Sequence, residues 1–206
     1  MIDYIAVFIT FFAVIDPIGT IPVFLAVTDK YEPKIKRRVA LLATIVSAFI
    51  LVFFIAAGEI LLRALSIPLP AFQISGGIVL FLFALNMIFG ESKPEEEIKL
   101  LSQSHKETAI FPLAVPSIAS PGAMLAAVLL TKNAVFTVWE QMQTGLVVLS
   151  VLLLTYVLML LSGFIVRFIG SSGASVISRV MGLILTSIAT TNILSGFHDY
   201  NVLLKS

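Results

Sequence analysis

The fold of this chain is decided by the stretch Phe12-Ala-Val-Ile-Asp-Pro-Ile-Gly-Thr-Ile-Pro-Val-Phe-Leu25. It belongs to an apolar run in which Asp16 has twelve uncharged residues on either side. At about 1.5 Å of rise per residue, Asp16 would lie near the middle of a hydrocarbon layer roughly 30 Å thick. A carboxylate at that depth is costly, so an acidic residue inside a membrane span indicates a functional site.

Proline interrupts the same run directly after Asp16. Pro17 lacks a backbone donor and clashes with a continuing helix, which argues against one straight span. The Asp-Pro pair instead predicts a helix that restarts, with Asp16 as N-cap and Pro17 at the first helical position. Such a break is tolerated at membrane depth only where protein or a polar cavity covers it.

A second copy of this pattern follows about one hundred residues later, in Ala119-Ser-Pro-Gly-Ala-Met-Leu-Ala-Ala-Val-Leu-Leu130. Here Ser120 is the capping residue before Pro121, and Gly122 follows. The whole segment lies inside the uncharged run Thr108–Thr131. This recurrence is the main indication of function in the sequence.

The composition indicates an integral membrane protein. The chain is 59% hydrophobic and 12% charged, whereas soluble domains are about 45–50% apolar and about 25% charged. A net charge of +1 and the lack of a basic cluster give no reason to expect nucleic acid. The absence of cysteine excludes disulfides and thiolate metal sites, and no metal site is expected. Residues 1–15 lack a basic n-region, which favours a retained span over a signal peptide.

Hydropathy predicts six transmembrane helices in an all-α membrane protein. The uncharged or nearly uncharged runs are 4–28, 39–62, 70–90, 108–131, 142–166 and 180–197. Ten of the 13 Lys and Arg residues lie in the loops 29–38, 91–107 and 167–179. The positive-inside rule therefore places these loops in the cytoplasm and both termini outside, in a multi-pass protein of the cytoplasmic (inner) membrane.

The order of the spans repeats once along the chain, as broken span, plain span and Gly-rich span. Pro17 corresponds to Pro121, and Asn86 corresponds to Asn192. Because three spans per repeat is an odd number, the second repeat must enter the membrane from the opposite side. The sequence predicts two inverted repeats, 1–90 and 108–206, joined by a cytoplasmic linker at 91–107. Together they form one membrane domain in which helices 1 and 4 are discontinuous.

Paired interruptions of this kind indicate the binding site of a secondary transporter. A helix start exposes unpaired N–H groups and a partial positive charge that attract anions. Asp16 adds a negative group at one break, whereas Ser120 offers only a neutral hydroxyl at the other. An amino acid fits this asymmetry, with its ammonium facing Asp16 and its carboxylate on the helix start at Ser120. The candidate substrate-binding residues are Asp16, Pro17, Ile18, Gly19, Asn86, Ser120, Pro121, Gly122, Ala123 and Asn192.

Each of these assignments has a structural alternative. Asp16 could be a neutral cap on a kinked helix, and Ser120-Pro121 could be an ordinary proline kink. Asn86 and Asn192 could line a cavity or bond between helices. Glu59 could pair with Arg63 at the interface or act with Asp16 in ion coupling.

Motifs of other membrane protein classes are missing from the sequence. No Gly-rich phosphate loop with Lys-Ser/Thr is present, which argues against ATP-driven transport by this chain. The chain has neither a His-Glu-x-x-His motif nor a pair of intramembrane acids, so we do not expect an enzyme. No cofactor is expected beyond a coupling H⁺ or Na⁺.

Five segments spread over nearly the whole length carry a resemblance to a known family: Asp16–Leu25, Ala57–Glu59, Ile74–Leu82, Pro112–Pro116 and Met181–Leu185. In these segments the chain resembles the MarC family of membrane proteins, which includes the SnatA neutral amino acid transporters. The family often has Gly-Pro at the second break, where this chain has Ser120-Pro121. The resemblance implies six spans and transport of small neutral amino acids such as glycine, alanine, serine or threonine.

The sequence therefore favours a secondary transporter of small neutral amino acids that works by alternating access. The alternatives are an exporter of another small solute or drug, and a membrane subunit that transports nothing. The expected partners are the amino acid and membrane lipid, and homo-oligomerisation is left open.

Overall fold

The computed structural model describes residues 3–89, 105–132 and 135–205, and every regular element within them is helical. The helices are α1 Tyr4–Ile15, α2 Thr20–Thr28, α3 Pro33–Ala64, α4 Leu69–Phe89, α5 His105–Thr108, α6 Ala109–Ile118, α7 Pro121–Leu129, α8 Val138–Leu160 and α9 Ser162–Lys205. Helix α6 is an irregular π-type segment. Its Phe111 and Val115 are extended, because a residue before proline disfavours helical geometry.

The described helices are long and apolar enough to form several membrane spans. Five of them pass this test, counting α1 and α2 as one span, and the bent pair α6–α7 would add a sixth. The axes of α6 and α7 differ by 54°. The prediction of an all-helical membrane protein is therefore confirmed.

The first span lies at the centre of the bundle. In its most apolar window 67% of the residues are buried, against 33% or less in the other four long spans. The α6–α7 segment is similarly buried, with Leu113, Ile118 and Ala123 fully inside. Both proline-containing segments thus lie in the interior, and the long helices α3, α4, α8 and α9 present apolar side chains outward, as lipid contact requires.

Helices α4 and α9 pack closely and run antiparallel. A Cβ added to Gly77 would lie 3.2 Å from the Ala189 carbonyl oxygen, and one added to Gly182 would lie 3.1 Å from the Ala84 carbonyl oxygen. As the residue number increases along α4, the residue number of its contact in α9 decreases, so the two helices run in opposite directions. Glycine at these contacts allows the two backbones to approach, as is common between membrane helices.

The predicted spans 142–166 and 180–197 correspond to Val138–Leu160 and the second part of Ser162–Lys205, and two further boundaries differ for a clear physical reason. Helix α3 begins at Pro33 instead of 39, because its polar first turns extend the helix beyond the apolar run. The predicted loop 167–179 is helical and belongs to α9. Its only non-helical residue is Gly170, whose φ of 73° suits glycine. Arg167 and Arg179 are exposed on this helix. Because their charges are not buried, the segment can be helical.

The division into repeats 1–90 and 108–206 stays a prediction. Most of the predicted linker 91–107 lies outside the described residues, which resume at His105.

Candidate functional site

The first break lies between α1 and α2 and is organised by Asp16. This residue is 1% exposed and adopts a left-handed conformation with φ 49° and ψ 66°, which aspartate tolerates better than most residues. Its carboxyl Oδ1 accepts a hydrogen bond from the Gly19 N–H at 3.0 Å. Its carbonyl oxygen accepts bonds from the Thr20 amide and hydroxyl, each at 3.0 Å. Asp16 therefore ends one helix and caps the turn that begins the next.

The helix does not restart at Pro17, as the sequence predicts, but at Thr20. Residues 17–19 form a turn. The left-handed backbone of Asp16 redirects the chain, and the Thr20 amide bonds to the carbonyl of Asp16, four residues back. The Asp16 carboxyl does cap a backbone amide, but that amide belongs to Gly19 in the turn before α2 and not to the first turn of a regular helix.

The second break has the geometry of an ordinary N-cap. Ser120 is extended, with φ −69° and ψ 158°, and Pro121 is the first residue of α7. The Ser120 Oγ accepts a hydrogen bond from the Ala123 N–H at 3.1 Å. This is the cap that the Ser-Pro pair predicts, and it forms from local interactions alone.

The two breaks meet inside the protein. The Ser120 hydroxyl donates to the carbonyl oxygen of Val14 in the last turn of α1, at 3.0 Å. Both residues are fully buried. One hydroxyl therefore caps α7 and also satisfies a carbonyl that the end of α1 leaves without a helical partner. The residues 14 and 120 are 106 positions apart in sequence.

The amides predicted to bind an anion are partly used by the protein itself. The amides at the two predicted helix starts are those of Ile18, Gly19, Gly122 and Ala123. Of these, Gly19 bonds to Asp16 and Ala123 bonds to Ser120. Ile18 and Gly122 are the remaining two. Gly122 is the better placed, because it lies at the start of α7 and lines a cavity.

That cavity has a volume of about 160 Å³, enough for several water molecules or a small organic molecule. It lies where α1, α4, α7 and α9 meet beside the second break. Its lining is apolar except at Thr10, Asn192 and the backbone of Gly122. The lining residues are Thr10, Val14, Leu80, Gly122, Leu125, Ala126, Leu129, Leu130, Ile188 and Asn192.

The structure separates the other predicted site residues. Asn192 lines the cavity, whereas Asn86 is exposed on α4, in an open groove beside Phe89. Glu59 forms an ion pair with Arg63 at 2.6 Å in the last turns of α3. Pro17 is buried at the first break, and Pro121 is exposed at the second. Asp16 is not among the described residues that line the cavity.

Two polar residues near the breaks escaped the sequence reasoning. A Cβ built on Gly19 would overlap both the Asp16 carboxyl and the Ser178 hydroxyl, so these two groups adjoin the same face of Gly19. Ser178 belongs to the segment predicted as a loop, so no signal pointed to it. Ser117 is buried three residues before Ser120, and within the described part of the chain its hydroxyl has no hydrogen-bond partner.

Comparison with known proteins identifies the family. The family model described as "MarC family integral membrane protein" matches residues 1–200. The chain belongs to the MarC family. No solved structure matches it.

Relatives in the MarC family align over nearly their whole length. A UPF0056 membrane protein of Aquifex aeolicus is 31% identical, with 95% of this chain and 92% of the relative covered. The UPF0056 inner membrane protein YhgN of Escherichia coli is 32% identical, with 95% and 96% covered. These names describe integral membrane proteins, in one case of the inner membrane, and this chain is accordingly an integral membrane protein.

Metal binding has no obvious donor set in this member of the MarC family. Among residues 3–89, 105–132 and 135–205, no three His, Asp or Glu side chains converge. The chemistry available at the breaks is therefore that of one carboxyl group, several hydroxyls, an amide and two helix ends.

Proposed function

We propose that this MarC family protein is a secondary transporter of small neutral amino acids, similar to the SnatA transporters, and that it works by alternating access. The observation that supports this most directly is the meeting of two capped helix breaks in the buried centre of an apolar bundle, beside a small cavity. Interrupted helices of this kind are the usual site of substrate and ion binding in secondary transporters.

The cavity beside the second break is the proposed substrate site. The Gly122 amide and the positive end of the α7 dipole would face the substrate carboxylate. The oxygens of Thr10 and Asn192 are the acceptors for the ammonium group. An uncharged and largely apolar lining suits a ligand whose own charges cancel and whose side chain is not ionised.

Asp16 is assigned to ion coupling rather than to direct contact with the substrate. It is the acidic residue at the first break, and its carboxyl controls the turn at Gly19. A proton or Na⁺ that reached this carboxyl would change its bond to Gly19, and through Val14 and Ser120 the change would reach the start of α7. Glu59 is a second coupling candidate, although its pairing with Arg63 favours a structural role.

The contact pattern supports the inverted repeat that alternating access requires. If α1–α2 corresponds to α6–α7, α3 to α8 and α4 to α9, then contacts in one repeat should recur in the other. Helix α3 contacts α7 as α8 contacts α2, and α4 contacts α7 as α9 contacts α2. The antiparallel packing of α4 on α9 also has the direction that inversion demands.

Counterflow in proteoliposomes tests the proposed function. The purified protein is reconstituted into vesicles that contain unlabelled alanine, and entry of labelled alanine is followed with and without an imposed H⁺ or Na⁺ gradient. Protein-free vesicles are the control. We expect saturable alanine exchange that glycine, serine and threonine inhibit. Flux of an unrelated drug or ion without amino acid exchange would instead support the exporter alternative, and no flux at all would favour a non-transporting subunit.

The proposed orientation, with both termini outside the cytoplasmic membrane, can be tested because the chain has no cysteine. Lys34→Cys and Val135→Cys place single thiols at exposed positions on opposite predicted sides. In intact cells a membrane-impermeant maleimide should label the Val135 variant and spare the Lys34 variant. The reverse result would invert the topology.

A further inference from the structure

One side chain in the lining of the cavity lies directly against the start of α7. Leu80 of α4 is 2% exposed and lines the cavity together with Gly122. If Gly122 carried a Cβ, the nearest atom to it would be the Leu80 Cδ1, which would overlap it, and the Cγ would lie 3.7 Å away. The Leu80 methyl group therefore fills the hollow directly over the start of α7.

The part of α4 that carries Leu80 is held in place by close packing of its backbone. The turn of α4 that precedes Leu80 packs on α7, because a Cβ on Gly76 would overlap the side chain of Leu125, another residue that lines the cavity. Gly77, on the next position, approaches the α9 backbone near Ala189. Helix α4 is thus fixed against both α7 and α9, so Leu80 stays in the cavity wall when a ligand binds and only the end of its side chain can turn.

From this geometry we infer that Leu80 is the residue that limits the side-chain size of the substrate. The inference rests on the proposed function. A ligand whose carboxylate is bound at Gly122 has its α-carbon next to the Leu80 methyl group. Hydrogen, methyl, hydroxymethyl and 1-hydroxyethyl side chains fit beside it, whereas the longer side chains of leucine and methionine collide. Beyond Leu80 the wall is formed by Leu125 and Leu129, so the space that Leu80 blocks is apolar.

Substitution of Leu80 should therefore relax the selectivity. We expect Leu80→Ala to raise the ratio of leucine to alanine transport efficiency at least about tenfold, since one methylene in a shaped apolar pocket is worth roughly 10–200-fold. Leu80→Val should give a smaller shift in the same direction. Leu51→Ala is the matched control, because Leu51 is a fully buried leucine of α3 that does not line the cavity.

The measurement is the rate of labelled leucine exchange and of labelled alanine exchange in proteoliposomes, with the wild type and the three variants at equal protein content. If Leu80→Ala does not fold, Leu80→Val decides the matter. An unchanged leucine-to-alanine ratio in Leu80 variants that exchange alanine overturns the inference but leaves the proposed function standing. A wild-type protein that exchanges no amino acid overturns both.

Discussion

The two breaks use the same pair of residue types, a capping residue before a proline, but build different structures from it. At the first break Asp16 is left-handed and a three-residue turn precedes the next helix. At the second break Ser120 is extended and the helix begins at once with Pro121. The first break thus depends on an unusual backbone conformation, and the second does not.

This difference assigns different tasks to the two ends of the site. The Asp16 carboxyl is bonded within its own turn and beside Ser178, outside the cavity lining. Ser120 reaches across to Val14, and its helix start opens toward the cavity through Gly122. An ionisable group is therefore kept apart from the proposed space for the ligand, and the bond between Ser120 and Val14 joins the helix end next to Asp16 to the start of α7. We read the first break as the coupling element and the second as the binding element.

The largest effect on transport is expected from Asp16→Asn. Asparagine tolerates the left-handed conformation and can accept the Gly19 bond, but it cannot carry a charge. Gradient-driven accumulation should fall to background, while the free energy of unfolding in detergent should change by no more than about 0.5 kcal/mol. Asp16→Ala is the comparison variant, and it should also lose roughly 2 kcal/mol of stability because alanine provides no cap and disfavours the left-handed region. Undiminished accumulation by Asp16→Asn would remove the coupling assignment.

The glycines of the two breaks should differ in their tolerance of a methyl group. In Gly19→Ala the new Cβ overlaps the Asp16 carboxyl and the Ser178 hydroxyl, and we expect a cost of about 1–3 kcal/mol. In Gly122→Ala it overlaps only the end of Leu80, which is a flexible side chain, so the cost should stay below about 1 kcal/mol. Denaturant titration in detergent micelles measures both. Equal losses of unfolding free energy in Gly19→Ala and Gly122→Ala would contradict this difference between the two breaks.

Ser120→Ala removes the bond to the Ala123 amide and the bond to the Val14 carbonyl together. We expect a loss of about 1–2 kcal/mol in the free energy of unfolding. Ser150→Ala is the control, because Ser150 is an exposed serine whose hydroxyl donates to the Val147 carbonyl of its own helix. If both variants lose the same amount, the link between the breaks contributes nothing to stability.

The smallest effect is expected from Glu59→Gln. The partner Arg63 is 66% exposed, and exposed i,i+4 ion pairs contribute only about 0.3–0.5 kcal/mol. Gradient-driven accumulation should be unchanged within about twofold. A collapse of accumulation, with exchange retained, would show that Glu59 shares the coupling role proposed for Asp16.

Much of the fold follows from short-range chemistry, and it was predicted for that reason. Apolar runs of sufficient length specify membrane helices, and the Ser-Pro pair at 120–121 specifies a cap and a helix start within four residues. The turn at Asp16 was only half predicted. The carboxyl cap is a local interaction. The start of α2 at Thr20 depends instead on the left-handed backbone conformation of Asp16, which the residue type alone does not specify. The helical segment 167–179 was missed because its charges resemble those of a loop.

The sequence by itself determined that this is a helical membrane protein with two proline-interrupted segments, the first of which contains an acidic residue. These features depend on residue types within a few positions of each other. Only the tertiary structure decided that Ser120 bonds to Val14, that Asn192 faces the cavity while Asn86 faces outward, and that Leu80 covers the start of α7. Each of these depends on which face of a helix meets which neighbour, and helix packing decides that between residues far apart in the chain.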